Sequence, residues 1–516
     1  MVSLWRWSAG LAVLAFRGIG QAAYQGGSPV ISCDSIPEPT VPGAEILLMT
    51  RDLRLEWKGL VYDPSTGNFT LSPPLSVCTV NVTLTHPGAG DEVNVWVWLP
   101  TNGWNGRFQG VGGGGWQAGT YGFSSLGLSA LQGYAAASTD GSNLFRQDGL
   151  DQAFLHELAV VGKAVTASFY GASSFRSYWN GCSQGGRQGF MIAQRYPDDF
   201  DGIMANAPAL SWPNLALALA WGRHVLRVLD WRPSMCVMQA FKLRSTEACD
   251  ALDGVKDGVI SDPSACRFDP TDLVGQKVDC GLEGKKKVTR KDAQVAAMIR
   301  AGPKSTEGIS LWDGYDWGTD YIGLLPAELS GVPDSIDLLT AVWIQYFLEK
   351  DPDFDLSHLT TVEQFTDLFA SAYGEWGGLI GTDLPDLSRF RDAGGKLMSW
   401  HGTADELIPA NNSIRYRKQV EGVMGGGGLV DDFYKFYVAP GAGHCSGGPG
   451  AHPQDFMKKL EAWVEENERP DVLGGKMKNL EGKDVERIIC PFPSLARYDG
   501  TSDPDKASSY ECEKSY

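Results

Sequence analysis

The sequence lacks both a long apolar run and an excess of positive charge. Lys and Arg number 44 against 62 Asp and Glu, which gives a formal net charge of −18. Nucleic-acid binding and anionic-membrane binding both need basic patches, so this charge balance argues against both. No segment has the roughly 20 apolar residues that cross a bilayer. Histidine is scarce as well, with only seven in the chain, so candidates for a catalytic base are few.

The first 23 residues have the features of a secretory signal. Arg6 supplies a positive n-region, residues 9–16 form a short apolar h-region, and residues 21–23 offer a cleavage site. Ten cysteines, an even number, fit five disulfide bonds in an oxidising compartment. N-glycosylation sequons start at Asn68, Asn81 and Asn411. Together these features predict a secreted, extracellular glycoprotein.

Strand-like and helix-like segments alternate over residues 24–206. Val93–Leu99 has the period-2 pattern of a half-buried strand, and strand patterns resume at residues 395–400 and 433–438. The stretch between has mainly helical periodicity. We therefore predict an α/β fold in which residues 24–206 and 389–516 form one domain, interrupted by a mainly helical insertion at residues 207–388.

Residues 181–185, Gly-Cys-Ser-Gln-Gly, match the Gly-x-Ser-x-Gly nucleophile elbow, in which a serine lies on a sharp turn from strand to helix. Small neighbours are needed because the serine backbone is strained and side chains two positions away would collide. The flanks agree, since residues 175–180 have a strand pattern and residues 187–195 a helix pattern. The motif predicts Ser183 as a nucleophile rather than a turn serine chosen for its size.

A serine nucleophile needs a base and an acid that orients the base. His444 follows one late strand-like segment through a glycine-containing loop, and Asp405 follows the strand-like segment before it. The chain order Ser, Asp, His is that of α/β-hydrolases. His401 is a rival base and Glu406 a rival acid. By analogy with the usual acid loop of that fold we assign Asp405 as acid and His444 as base, and give His401 a structural role.

An oxyanion hole is the next requirement. The backbone N–H of Gln184, the residue after the nucleophile, is one natural donor. The run Gly112–Gly115 can present another N–H with no side chain in the way, and we select Gly114 within it. A glycine-rich loop can instead bind phosphate, but this one lacks the Lys-Ser/Thr ending of a P-loop.

Two cysteines adjoin the candidate triad. Cys182 precedes the nucleophile and Cys445 follows the base. If Ser183 and His444 are within hydrogen-bond reach, these neighbours can lie at the ~4.4–6.8 Å Cα separation that a disulfide requires. Because connectivity cannot be read from spacing, pairing of each with a different cysteine stays open.

An acidic segment lies within the insertion. Asp250, Asp253 and Asp257 stand among tight glycine turns, and hard oxygen ligands this closely spaced suit Ca²⁺, with backbone carbonyl groups completing the shell. A solvated turn accounts for the same residues, and the spacing does not match an EF-hand loop. Cys249 and Cys266 flank the segment and can close it, which favours the metal.

The set Cys182-Ser183, Asp405 and His444-Cys445 resembles the Cys-Ser…Asp…His-Cys signature of the secreted tannase/feruloyl esterase family of fungi and bacteria. The likeness extends along most of the chain, including residues 104–108 with the glycine loop that follows, and residues 490–512. It implies an α/β-hydrolase domain with a lid, the insertion at 207–388.

The resemblance also implies particular bonds and ligands. It implies the disulfides Cys182–Cys445, Cys33–Cys78, Cys249–Cys266 and Cys490–Cys512, which leaves Cys236 and Cys280 to pair. It implies a structural Ca²⁺ in the lid, held by the side chains of Asp250, Asp253 and Asp257 and the carbonyl groups of Val255 and Val259. No organic cofactor is expected.

The expected activity is that of a secreted serine carboxylic-ester hydrolase acting on esters of phenolic acids. The substrate is expected to be a small phenolic ester or a plant cell-wall or tannin ester, and feruloyl or other hydroxycinnamoyl esters are the preferred prediction. A tannase acting on galloyl esters is the close rival. A catalytically silent relative that binds phenolics or glycans is a second class, which the intact nucleophile, acid and base disfavour. Lid aromatics such as Trp312, Trp343 and Tyr346 can stack on a phenolic ring or form lid core. The sequence indicates no oligomeric state.

Overall fold

The computed structural model describes residues 27–63, 68–119, 121–141, 153–326, 329 and 335–516. The predicted signal peptide, residues 1–23, and the side chain of the sequon residue Asn68 lie outside the described part. The strands in chain order are β1 Glu45–Trp57, β2 Leu60–Asp63, β3 Asn68–Leu71, β4 Leu75–Thr85, β5 Val93–Pro100, β6 Arg107–Val111, β7 Ala135–Thr139, β8 Arg176–Cys182, β9 Gly202–Asn206, β10 Lys277–Asp279, β11 Lys285–Lys287, β12 Lys396–Gly402, β13 Tyr434–Ala439, β14 His452–Pro453, β15 Leu473–Lys478, β16 Asp484–Ile489, β17 Ser494–Tyr498 and β18 Tyr510–Lys514. The α-helices are α1 Leu128–Leu131, α2 Ala153–Tyr170, α3 Gln184–Arg195, α4 Trp212–Ala218, α5 Trp221–Val228, α6 Met235–Cys249, α7 Arg290–Ala301, α8 Ser335–Val342, α9 Val362–Ile380, α10 Ser388–Asp392, α11 Ala410–Met424, α12 Gly427–Val430 and α13 Phe456–Glu466.

A nine-stranded mixed sheet forms the centre, in the order β1-β4-β5-β7-β6-β8-β9-β12-β13. The strands from β7 to β13 are parallel, whereas β1, β4 and β5 extend the sheet antiparallel. The carboxyl ends of the parallel strands therefore meet at one edge, where ligands bind in open α/β sheets. Strands β8, β12 and β13 carry the three predicted catalytic residues toward that edge, because each residue follows its strand closely. The α/β prediction is confirmed.

The chain leaves the sheet between β9 and β12, and residues 207–395 add no strand to it in the part described. They form α4 to α10 and a separate hairpin of β10 and β11. Trp221, Phe241 and Phe365 are among the side chains of a second buried core here. The boundaries at 206/207 and 388/389 stay a prediction.

Residues 215–229 have helical periodicity, and two helices, α4 and α5, cover most of them. Leu219 and Ala220 between them keep helical backbone angles. The apolar pattern therefore continues across the break and does not reveal it.

All ten cysteines are paired, and the pairs are those expected. The bonds are Cys33–Cys78, Cys182–Cys445, Cys236–Cys280, Cys249–Cys266 and Cys490–Cys512. None of the helices in the described ranges has the length and hydropathy of a membrane span.

Candidate active site

Ser183 lies on a strained turn between β8 and α3. Its backbone angles are φ 63° and ψ −121°, a positive-φ conformation that residues other than glycine rarely adopt. A Cβ at Gly181 would stand 2.2 Å from the carbonyl oxygen of Gly185, so the motif needs glycine there. The N–H of Ser183 donates to the carbonyl of Asn206 at the end of β9. The turn is thus held from the neighbouring strand, and the serine is half-buried.

His444 and Asp405 form the pair that a serine hydrolase requires. His444 Nδ1 lies 2.8 Å from Asp405 Oδ2. The carboxylate is fully buried, and its other oxygen accepts the N–H groups of Leu407 at 2.9 Å and Ile408 at 2.7 Å. His444 Nε2 has no protein partner among the described residues, so it is the nitrogen available to take a proton.

Electrostatics at this pair favour a charged acid and a strong base. Burial by itself would raise the pKa of Asp405, but the charge of His444 and the hydrogen bonds from His401 and His444 outweigh burial and hold that pKa well below its usual range. Burial likewise lowers the pKa of His444, and Asp405 more than reverses this, so the pKa of His444 lies above its ordinary 6.5. Asp405 therefore favours its ionised form beside the imidazole of His444.

A disulfide ties the nucleophile turn to the base loop. Cys182 and Cys445 are bonded, with Cα atoms 6.0 Å apart. Since these cysteines adjoin Ser183 and His444 in the chain, the bond fixes the two loops next to each other.

The two rivals for acid and base occupy other places. Both ring nitrogens of His401 are hydrogen-bonded inside the protein, and one of them contacts Asp405, so His401 has no nitrogen to offer a substrate. Glu406 Oε2 accepts the backbone N–H of His444 at 3.3 Å rather than its ring N–H. Burial, and then the charge of Asp405, raise the pKa of Glu406. This geometry supports Asp405 and His444 over their neighbours.

The glycine run lies against the nucleophile turn. The N–H of Gly112 donates to the carbonyl oxygen of Asn180, and the N–H of Gly113 donates to Gln188 Oε1. The N–H groups of Gly114 and Gly115 have no protein acceptor within the described ranges, and neither has the N–H of Gln184. The predicted donors Gly114 and Gln184 are thus both available to an oxyanion.

The lid contacts the acid loop directly. The hydroxyl of Tyr315 donates to the carbonyl of Leu407 at 3.1 Å. Trp312 and Trp343 are buried, and the indole N–H of Trp343 donates to Pro213. Both therefore belong to lid core, whereas Tyr346 is 53% exposed.

The acidic segment matches calcium in donor chemistry but not in side-chain arrangement. Burial raises the pKa of Asp250 and of Asp253, and the charge of Asp257 adds to both shifts, so negative charge is concentrated here. However, one oxygen of Asp257 is engaged by Arg487 at 2.7 Å, and the oxygens of Asp250 accept backbone N–H groups. No group of three or more His, Cys, Asp or Glu side chains within the described ranges is placed to hold a metal.

Comparison with known proteins identifies the family. The family model described as "Tannase and feruloyl esterase" matches residues 78–513. The chain belongs to the tannase and feruloyl esterase family. A "Probable feruloyl esterase" of Arthroderma benhamiae is 43% identical over 511 residues, covering 94% of each chain. Among solved structures, tannin acyl hydrolase from Aspergillus niger has a TM-score of 0.80 at 25% identity, over 93% of this chain and 94% of that one. Feruloyl esterase B from Aspergillus oryzae has 0.76 at 26%, over 92% and 97%.

Of the predicted catalytic residues, the structure brings Asp405 into contact with His444 and ties the Ser183 turn to the His444 loop by a disulfide. The contacts of His401 were not predicted from the sequence. The only available signal was its position at the end of β12, four residues before Asp405. That spacing places the two side chains near each other without showing a bond.

Proposed function

We propose that this chain is a serine carboxylic-ester hydrolase that acts on esters of phenolic acids, with feruloyl and related hydroxycinnamoyl esters as first substrates. The observation that carries the proposal is the buried Asp405–His444 pair, in which one imidazole nitrogen of His444 stays free. The Cys182–Cys445 disulfide ties the loop of His444 to the strained turn of Ser183. The 43%-identical relative named a probable feruloyl esterase supports the order of substrates.

In the proposed reaction, Ser183 Oγ attacks the ester carbonyl carbon while its proton passes to His444 Nε2. Asp405 stabilises the imidazolium, and the N–H groups of Gly114 and Gln184 hold the oxyanion. His444 returns the proton to the departing alcohol as the carbon–oxygen bond breaks. Water then attacks the acyl-enzyme, gives a proton to His444, and releases the acid as Ser183 recovers its proton.

The decisive experiment compares wild type with Ser183→Ala on methyl ferulate, chlorogenate and methyl gallate. We expect kcat/KM of the variant to fall by about 10⁴-fold or more, because no other group can form the acyl-enzyme. Hydrolysis that survives the substitution contradicts the mechanism. A wild-type preference for methyl gallate selects tannase, and a wild type that hydrolyses none of the three while binding them selects the silent relative.

We also propose that the lid binds one structural Ca²⁺ through the side chains of Asp250, Asp253 and Asp257 and the carbonyls of Val255 and Val259. The support is the family resemblance and the concentrated carboxylate charge. Calcium that neutralises this charge should raise Tm. We expect one equivalent by elemental analysis and a lower Tm after EDTA treatment, both abolished in Asp253→Asn. Protein free of calcium with a Tm indifferent to EDTA overturns this proposal.

We propose secretion as the cellular route. Five disulfides with no free cysteine are typical of an oxidising compartment. Two sequon side chains make internal hydrogen bonds, Asn81 to Asn94 and Asn411 to Asp316, each at 3.2 Å. A glycan attached to either side chain would leave its amide nitrogen a single N–H for such a bond.

A further inference from the structure

His401 stands at the end of β12 and is fully buried. Its Nε2 is 3.1 Å from Asp405 Oδ2 and 2.9 Å from the carbonyl oxygen of Ile408. Its Nδ1 is 2.8 Å from the hydroxyl oxygen of Ser413, on α11. The ring is therefore bonded at both ends and has no freedom to rotate without losing a partner.

The partners determine where His401 carries a proton. A carboxylate and a carbonyl oxygen can only accept, so Nε2 must be protonated and must donate. The hydroxyl of Ser413 can donate to Nδ1. His401 is thus a fixed N–H donor aimed at the acid.

Asp405 consequently receives four donors. Leu407 and Ile408 give their backbone N–H groups to Oδ1, and His401 and His444 both donate to Oδ2. Two histidines thus share one oxygen of one carboxylate. The bond from His401 draws on the negative charge of Oδ2 and thereby weakens the bond from His444 to the same oxygen. The additional donor also prevents the carboxylate from rotating.

We propose that His401 is a positioning residue of the reaction, which fixes the orientation of Asp405 and moderates its hold on the His444 imidazolium. This inference rests on the proposed function only where activity is measured. The charge shared between the two rings is a property of the resting protein and can be observed without substrate.

Other ionisable groups face the same cluster and stay constant in the comparison. Glu406 adjoins Asp405 on the acid loop, and Tyr315 approaches from the lid. Arg223 and Arg300 of the lid act on Tyr315. None of them contacts Oδ2 of Asp405, so removal of the His401 donor is the change that reaches His444.

The test uses His401→Leu and His401→Gln in the full chain. Leu removes the donor, and Gln can both donate to Asp405 and accept from Ser413. We expect kcat/KM of the Leu variant to fall about tenfold, the value of one hydrogen bond. The acid limb of its kcat/KM–pH profile should move to higher pH, because an Asp405 carboxylate that no longer bonds to His401 stabilises the His444 imidazolium more strongly. His401→Gln should restore most of the wild-type kcat/KM and most of the wild-type position of the acid limb. The matched control is His224→Leu, which changes a fully buried lid histidine and should leave the acid limb in place.

Titration of the His444 ring by NMR supplies the readout that needs no substrate. A higher pKa of His444 in folded His401→Leu supports the proposal even if none of the esters is hydrolysed. An unchanged pKa and an unchanged acid limb overturn it and leave His401 a packing residue. If the Leu variant does not fold, Ser413→Ala loosens the ring from Nδ1 and should shift the pKa of His444 in the same direction by less. No shift there overturns the proposal.

Discussion

Two histidine–carboxylate clusters in this molecule have nearly the same composition but differ in how many ring nitrogens of the histidine are bonded. In one, His444 is bonded to Asp405 through Nδ1 alone. In the other, His86 is held between Asp91 at Nδ1 and Glu157 at Nε2, both at 2.5 Å. His86 follows β4 and Glu157 lies on α2, so the second cluster joins the sheet to a helix. The difference is one unbonded ring nitrogen, and proton transfer to substrate requires that nitrogen.

The clusters also differ in how their histidines are placed. His444 lies on a loop and depends on the Cys182–Cys445 bond and on Asp405, whereas His86 adjoins the hydrogen-bonded ladder of the sheet. A histidine clamped by two carboxylates strengthens packing between elements. A histidine clamped by one, beside a strained serine, can carry out catalysis.

The largest expected difference between the clusters is in activity. His444→Gln should lower kcat/KM by about 10⁴-fold or more, because the amide cannot take the serine proton. His86→Gln should leave kcat/KM on methyl ferulate within about threefold of wild type, because the clamp touches no reacting atom. Comparable losses in the two variants would mean that the distinction by free nitrogen is wrong.

The free energy of unfolding should show the reverse order, with the larger loss in the His86 variant. His86→Gln loses a charge-assisted bond to each of two carboxylates, so the free energy of unfolding should fall by about 1–3 kcal/mol. Urea denaturation followed by tryptophan fluorescence measures this, with His358→Gln as the control because His358 is an exposed histidine. A His86→Gln variant as stable as that control would remove the structural role of the clamp.

A smaller effect should appear as opposite pH dependences. Burial lowers the pKa of His86, but the bonds to Glu157 and Asp91 more than compensate, so its folded pKa lies above 6.5. The stabilisation it provides is therefore complete below the unfolded pKa and is lost as pH rises through the folded pKa. Activity has the other sign, because His444 must be neutral and its pKa is also raised.

The measurement is the free energy of unfolding and kcat/KM over the same range, from about pH 5 to 9. We expect kcat/KM to rise with pH in the region where the contribution of His86 to stability declines. In His86→Gln the decline in stability across this range should become shallower and the activity profile should be unchanged. An activity profile that follows the His86 substitution would contradict the separation of the two clusters.

Local pattern was sufficient where the constraint is local. The elbow is readable because only glycine fits at 181, where a Cβ would meet the backbone of Gly185. Strand β5 is readable because residues 93–97 alternate between buried and half-buried side chains, as their period-2 pattern predicts. The break between α4 and α5 is not readable from the sequence because helical backbone angles persist through it.

Pattern was insufficient where partners come from distant parts of the chain. The aspartates of the acidic segment are close in sequence, yet Arg487, 230 residues away, engages one of them. The sequence is compatible with Trp312 and Trp343 as ligand platforms or as core, and their burial shows that both are core.

The amino-acid sequence by itself determined the order of nucleophile, acid and base, the small residues around Ser183, and the cysteines that flank the two loops. Those features depend on residue type and spacing, which the chain carries in every conformation. Only the tertiary structure decided that His444 keeps a free nitrogen while His401 and His86 do not. Hydrogen-bond saturation depends on which strands and loops meet at an edge of the sheet, and spacing along the chain contains no such information.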